Sequence, residues 1–507
     1  MDYIIVQAGG KGTRLGHLTR NKPKALAPVE NLPMLFHLFR KYPDQRFIII
    51  ADYKKEAMRE YLHCFAKVKY QIVDAQGTGT CSGIRQALEL MPERKPFMLV
   101  WSDLILPQGL ELPKEYQEGE PQRDYIGISQ TFPCRWSYVN GEFREEKSKE
   151  HGVAGFFLFT EKAKLAGIPE SGELVRWMQG RELLCQEMGL AGTKEFGILE
   201  EYEKLGREKC RPFNRIAVKG DRLVKEALDS QGRELAVREC RWYEKAARIA
   251  PGSIPRIYGT DPLEMEYIRG KNIYESQPGD RLETPDGKEK KEILGKLVDA
   301  LHKLHKSGQA QADSFSMKEA YYNKTVRRLE RIRDLVPFAQ EKRININGKS
   351  CRNVYFHKRE LERKLEALVC DKFCFLHGDC TFSNIMLRED GSPVLIDPRG
   401  YFGFTQLYGD ERYDWAKLYY SIVGNYDRFN LKEFRLDIGG DGIALEITSN
   451  GWEDMEGEFF RLTGAQPEEI KLLHAVIWLS LTTYAWQDYD SICGAFYNGL
   501  YYLEDLL

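Results

Sequence analysis

The chain has 507 residues, 42% of them hydrophobic and 30% charged, with a formal net charge of −2. That length exceeds one ordinary core and predicts two or three domains. The balanced charge removes the electrostatic case for a nucleic-acid binder, which needs a basic face to displace counterions.

No apolar run reaches the roughly 18 residues that would cross a bilayer, so no membrane insertion is expected. The lysine-rich run 288–291 reads as solvated helix surface. The 11 cysteines follow no regular framework, and the N-terminus opens on a strand with no basic leader. Both features predict a reduced, cytoplasmic setting. Cys370, Cys374, His377 and Cys380 are near enough in sequence to be weighed as a zinc set, although His377 has a better use below. The partners expected are nucleotides and a small-molecule acceptor, and a homo-oligomer is left open.

In chain order, β-branched apolar runs at 4–6, 47–51, 68–73, 97–101 and 153–159 alternate with amphipathic stretches at 54–65 and 83–91. This alternation predicts an α/β domain: a doubly wound, mostly parallel, Rossmann-like sheet covered on both faces. A short polar stretch, 206–212, marks the expected boundary between domains 1–208 and 209–507.

Past it, 215–218 and 222–227 flank Lys219-Gly220-Asp221 as a β-hairpin. A helix over 235–248 and strands near 256–258 and 263–268 follow. The remainder reads as largely helical except around 379–397. A small β-rich lobe (about 209–270) before a helical lobe (about 271–507) is the α+β layout of a two-lobed protein kinase.

The first strand runs directly into Gln7-Ala8-Gly9-Gly10-Lys11-Gly12-Thr13-Arg14-Leu15. Glycines 9, 10 and 12 let the backbone approach a triphosphate and point N–H groups at its oxygens. Arg14 and Lys24 add charge where pyrophosphate would leave. With Leu18-Thr19 and Pro23-Lys24 in register, the string resembles the signature of the sugar-phosphate nucleotidyltransferases, over roughly residues 1–208.

That resemblance implies further roles. Gln76, Gly77 and Thr78 would recognise the base, and Asp103, at the end of run 97–101, would hold Mg²⁺. Glu146 and Lys147, with Gly155, would contact the sugar phosphate. The second metal carboxylate of that family is usually Asp; here Glu195 stands in its place. The implied substrate is an NTP, with CTP or UTP favoured.

In the second half, His377-Gly378-Asp379 through Asn384 carries the Asp-x₄-Asn spacing of a kinase catalytic loop. Asp379 would take the acceptor's hydroxyl proton, while Asn384 and Asp397 would hold Mg²⁺. The string resembles the aminoglycoside phosphotransferase and choline kinase superfamily, over about 209–507.

The resemblance implies that Lys225 pairs the ATP α/β-phosphates and that Glu239, or alternatively Glu244, is its ion-pair partner. It also places Glu266 and Ile268 in the hinge against adenine. His377 is expected to orient the loop, with Asp410 and Asp414 bracing it. Arg399 is expected either to approach an anion or to make a local salt bridge.

Together the two halves imply a bifunctional, Mg²⁺-dependent enzyme. ATP would phosphorylate a sugar or polyol, and an NTP would then convert the product to a nucleotide sugar for surface polysaccharide. Two alternatives stand beside it. A choline or ethanolamine route to a CDP-alcohol would need an aromatic cage, for which Trp478, Tyr484, Trp486, Tyr489, Tyr497 and Tyr501 are candidates. Alternatively, one half is a silent nucleotide sensor.

Overall fold

The computed structural model describes residues 1–181, 183–197, 214–227, 230–275 and 287–507. The expected boundary stretch 206–212 lies outside the described residues. The chain divides into two compact units: Met1–Glu208 with Trp486–Asp490, and Lys209–Ala485 with Ser491–Leu507.

The first unit is built on one sheet of nine strands. These are β1 (Tyr3–Gln7), β2 (Arg46–Ala51), β3 (Lys69–Asp74), β4 (Phe97–Trp101), β5 (Tyr125–Ser129), β6 (Ser137–Val139), β7 (Glu142–Arg144), β8 (Gly152–Phe159) and β9 (Gln186–Gly189). The sheet path is β7-β6-β8-β4-β1-β2-β3, with β5 joined to β8 and β9. Its heart, β4-β1-β2-β3, is parallel.

Helix Lys55–Phe65 returns the chain from β2 to β3, and Ile84–Glu89 helps return it from β3 to β4. Such crossovers are what parallel pairing requires. The β1, β2 and β4 residues Ile5, Ile50 and Leu99 are fully buried, as expected for strands covered on both faces.

Register places Gln7 beside Trp101 on one side and Ile50 on the other. The loops leaving β1 and β4 therefore emerge together at the carboxyl edge of the sheet, where ligands of such sheets bind. Within this unit Lys22 is buried and held by Asp488 at 3.0 Å and Asp490 at 2.5 Å.

The second unit opens with a four-stranded antiparallel sheet. Its strands are β10 (Asn214–Lys219), β11 (Arg222–Ala227), β12 (Ile257–Thr260) and β13 (Leu263–Glu266), in the order β10-β11-β13-β12. Helix Ser230–Ile249 lies between β11 and β12 in sequence.

The larger lobe contains helices Gly287–Lys306, Val354–Glu366, Glu411–Ile422 and Pro467–Leu481, with Trp415 and Trp478 in its interior. It is less purely helical than expected. Arg343–Ile346 and Lys349–Arg352 form a hairpin, Phe434–Gly439 and Gly442–Ile447 form another, and the two join in one sheet. The first turns on Asn347-Gly348, both at positive φ, the geometry that tight hairpins favour. Among the described residues, no helix is long and apolar enough to cross a membrane.

Candidate active sites in the two units

In the first unit the glycine loop is shaped by its neighbours. Gly12 sits at φ 64°, and a Cβ there would lie 3.0 Å from the Lys24 Cβ; on Gly9 it would lie 2.8 Å from the Asp52 Cβ. The loop is closed by Lys24 N–H donating to the Gly10 carbonyl at 3.3 Å and by the Thr19 hydroxyl donating to Gly12. Ala8 is buried behind it, while Thr13 and Arg14 are exposed.

Lys24, only 8% exposed, makes a short ion pair with Asp103. The second oxygen of Asp103 is buried with no hydrogen-bond partner among the described residues. Strand pair Leu104–Ile105 and Lys194–Glu195 sets Glu195 opposite Leu104, and Phe196 N–H donates to the Asp103 carbonyl. The structure thus brings Glu195 next to Asp103. A Cβ on Gly197 would lie 2.0 Å from Glu195 Oε1 and 3.2 Å from Arg14 Nη2, so Arg14 crowds the same point. Two carboxylates at neighbouring positions, one with an unsatisfied buried oxygen, are the donor type a divalent cation takes.

The segment expected to recognise the base is braced from within. Gln7 donates to the carbonyls of Thr80 and Ser82, Gly77 N–H to the Ser82 hydroxyl, and Thr78 N–H to the Ser171 hydroxyl. Gln76 is exposed. Gly155, at φ 79°, packs its α-carbon on Trp101: a Cβ would lie 2.0 Å from the indole. Glu146 and Lys147 are exposed, whereas their neighbour Glu145 is tied to Arg135 and Arg176.

In the second unit Lys225 is 7% exposed and reaches both Glu239 Oε2 (2.6 Å) and Asp397 Oδ1 (2.7 Å). Burial disfavours its charge, but the two carboxylates outweigh that and hold its pKa above the ordinary lysine range. Glu266 forms a two-pronged ion pair with Arg388, at 2.6 and 3.0 Å, and Ile268 is buried.

The catalytic-loop segment is fastened by Asp414, which is fully buried. It accepts from the backbone N–H of His377 (2.9 Å) and of Gly378 (2.7 Å), and its Oδ2 lies 3.0 Å from His305 Nε2. His377 Nε2 lies 3.0 Å from the Ile396 carbonyl, while Nδ1 accepts from Asp379 N–H, so this ring ties the loop to the strand before Asp397. Asp410 instead caps helix Glu411–Ile422 and takes the Tyr321 hydroxyl. The Asn384 amide donates to the Asp379 carbonyl at 2.8 Å. Its remaining carboxamide oxygen and the Asp397 carboxylate are the donor types a magnesium ion prefers.

The four residues weighed for zinc do not share a centre. His377 faces Ile396, while the thiols of Cys380 and Cys370 approach the carbonyls of Asp414 and Lys372. Among the described residues, the His/Cys/Asp/Glu group that converges is His305, Cys374 and Glu411. Of the aromatics named for a cage, Trp478, Tyr489 and Tyr497 are buried, and the Trp478 indole donates to His474.

One feature of this site escaped the sequence reading. Asp379 is met by Lys417 at 2.9 Å. Burial opposes the Asp379 charge, yet Lys417 and Arg399 hold its pKa well below the ordinary carboxylate range. A signal was present: Lys417 follows Asp414 by one turn, inside the otherwise apolar helix run Trp415-Ala416-Lys417-Leu418-Tyr419.

Residues 4–114 match the MobA-like NTP transferase domain, and residues 213–434 match the phosphotransferase enzyme family. The chain joins a nucleotidyltransferase domain to a phosphotransferase domain. Bifunctional protein GlmU of Methanocaldococcus jannaschii is 33% identical over 113 residues, 22% of this chain and 27% of that protein. D-glycero-alpha-D-manno-heptose 1-phosphate guanylyltransferase of Campylobacter jejuni is 31% identical over 93 residues, 17% of this chain and 42% of that protein. HddC from Yersinia pseudotuberculosis, a crystal structure, is 19% identical with a TM-score of 0.33, covering 40% of this chain and 98% of its own. The matched part of this chain spans 27% and 28% of the length of the first two curated relatives.

Proposed function

We propose that the chain is a bifunctional enzyme: its second unit phosphorylates a sugar or polyol with ATP, and its first unit transfers a nucleotidyl group from an NTP to the resulting phosphate. The observation that carries this reading is that each unit has its own complete set of opposed charges. Lys24 with Asp103, beside Glu195 and Arg14, forms one; Lys225 with Glu239 and Asp397, beside Asp379 and Asn384, forms the other.

In the second unit Asp379 accepts the acceptor's hydroxyl proton as its oxygen attacks the γ-phosphorus, while Lys225 positions the α/β-phosphates. Magnesium on Asn384 and Asp397 would neutralise charge on the transferred group. In the first unit no proton need move. A phosphate oxygen attacks the α-phosphorus, and Arg14 and Lys24 stabilise departing pyrophosphate. Asp103 and Glu195 would hold the cation there.

The Campylobacter relative is a guanylyltransferase for a heptose 1-phosphate, which supports a sugar 1-phosphate as the nucleotidyl acceptor. CTP and UTP remain the favoured donors, and GTP belongs in the same screen. The product would be a nucleotide sugar of the kind that feeds surface polysaccharide.

The test follows ADP and pyrophosphate separately in the full chain with ATP, each NTP and a panel of acceptors. Asp103→Asn should abolish pyrophosphate release and spare ADP formation, whereas Asp379→Asn should abolish ADP formation on unphosphorylated acceptor and spare pyrophosphate release when the phosphorylated acceptor is supplied. Loss of neither product in its own variant overturns the reading. A unit silent in the parent chain leaves it a sensor.

A further inference from the structure

Beside Asp379 the phosphotransferase unit is strongly basic. Helix Lys324–Arg331 carries Lys324 and Arg328 one turn apart on one face. Arg399 follows Asp397, and Lys417 stands on helix Glu411–Ile422. Tyr413 is their common neighbour. Arg399 Nη1 donates to its hydroxyl at 2.8 Å, and the Lys324 and Lys417 ammonium groups lie 5.8 and 6.0 Å from its ring centroid. Arg328, which donates to the Ser480 carbonyl, feels the charge of Arg399 and of Tyr413.

All four cations are at least partly withdrawn from solvent. Among the described residues, the carboxylate that makes a salt bridge with any of them is Asp379, through Lys417. Four cations against one carboxylate is an unbalanced arrangement, and partial burial makes the imbalance costly.

The ionisable neighbours register the field. Lys324 is pushed down to about 8 by burial, with Arg399, Arg328 and Lys417 adding to the effect. Burial opposes ionisation of Tyr413, yet Lys324, Arg399 and Lys417 draw its phenol down to about 7.

We infer that the acceptor phosphorylated at this site is itself an anion, carrying a phosphomonoester or carboxylate group that Lys324, Arg328 and Arg399 bind. The inference rests on Asp379 being the base, because that role fixes where the acceptor hydroxyl lies. Lys417, in contact with Asp379, is placed to meet the transferred phosphoryl group, which leaves the other three for charge on the acceptor. Arg and Lys around a tyrosine suit an oxyanion; a quaternary ammonium would be repelled. The structure thus favours the first of the two roles expected for Arg399.

Two measurements on the full chain test this. In the first, thermal shift is titrated with inorganic phosphate and with acetate for the parent, for Lys324→Met/Arg328→Met and for the milder Lys324→Gln. Phosphate binding by the first unit is common to all three and cancels. The half-saturating phosphate concentration should rise at least tenfold in the double variant and severalfold in the single one. Identical responses overturn the proposal. A response to phosphate but not acetate assigns a phosphomonoester, and an equal response assigns a carboxylate.

In the second, ADP formation is compared for glucose, glucose 6-phosphate, glucuronate and choline. An anionic member should exceed glucose and choline at least tenfold in kcat/KM, with the advantage lost in Lys324→Gln mainly through KM. Choline or glucose turning over as well as the anions overturns the proposal. Retained turnover in Asp379→Asn removes the base assignment instead, and leaves the phosphate comparison to decide whether the cluster binds anions.

Discussion

Lys417 Nζ lies 2.9 Å from Asp379 Oδ1, so the carboxylate assigned as the proton acceptor is held by a cation before any substrate arrives. The pair keeps Asp379 ionised and aims it from a helix whose own Asp414 holds the loop backbone. One helix therefore fixes both the position and the charge of the proposed base.

Replacing Lys417 by Met should lower ADP formation by tenfold or more at neutral pH. The sign of the pH effect follows from the depressed Asp379 pKa, for which Lys417 is the largest favourable charge. Without Lys417 that pKa rises toward its ordinary value. The acidic limb of the rate profile then moves to higher pH, and activity is lost earlier as pH falls. A pH–rate series on the parent and variant checks this; an unmoved acidic limb excludes the charge-setting role.

In the first unit, the ion pair of Lys24 with Asp103 makes a different expectation. Lys24→Met removes the charge proposed to meet the leaving pyrophosphate and frees Asp103 from its partner. Pyrophosphate release should fall by about 10²-fold, a typical cost of losing one preorganised electrostatic group, while ADP formation by the other unit stays within twofold. Parallel assays of both products on one preparation separate this from general unfolding, which would depress both.

Much of this was legible in the sequence because the chemistry sits in short local strings. Strand β1 and its glycine loop, and the Asp379 to Asn384 spacing, need only neighbouring residues. Glu239 as the partner of Lys225 was also readable, one strand and one helix apart.

What was not legible depended on long-range convergence. Lys324, Arg328, Arg399 and Lys417 lie on three separate segments, and no local pattern says that they meet at Tyr413. The hairpin at Asn347-Gly348 failed for a different reason. Its Arg343-Ile344-Asn345-Ile346 alternation and turn residues were in plain view, but the surrounding helical lobe drew the reading toward helix. Glu145, rather than Glu146, is tied to Arg135 and Arg176, because in an exposed run of charges the sequence does not say which residue faces which.

Gly155 offers a test of packing without touching a charged group. Its φ of 79° and the Trp101 indole 2.0 Å from any added Cβ make alanine doubly unsuitable. Gly155→Ala should destabilise the first unit by roughly 2–4 kcal/mol, the sum of backbone strain and overpacking. Urea unfolding followed by tryptophan fluorescence reads this. Gly10→Ala, where an added Cβ meets nothing within 4 Å, should stay within about 1 kcal/mol of the parent. Equal effects from the two would remove the contact with Trp101 as the cause.

The triad of buried Lys225 and Glu239 with half-buried Asp397 gives the last expectation, and it separates binding from folding. Glu239→Gln keeps the side-chain shape but removes one of the two anions that hold Lys225 charged, leaving Asp397 at 2.7 Å as the other. Lys225 stays protonated but is drawn toward Asp397, away from the α/β-phosphates. The KM for ATP should therefore rise several-fold with a smaller change in kcat. Lys225→Met is harsher, because it strands two carboxylates in a poorly solvated place, and breaking such an arrangement costs about 3–5 kcal/mol. That variant should melt earlier as well as lose ADP formation, and lowering the pH should restore part of its stability as a stranded carboxylate protonates. A Glu239→Gln enzyme with unchanged KM for ATP would mean that Glu239 supports the lobe without positioning Lys225.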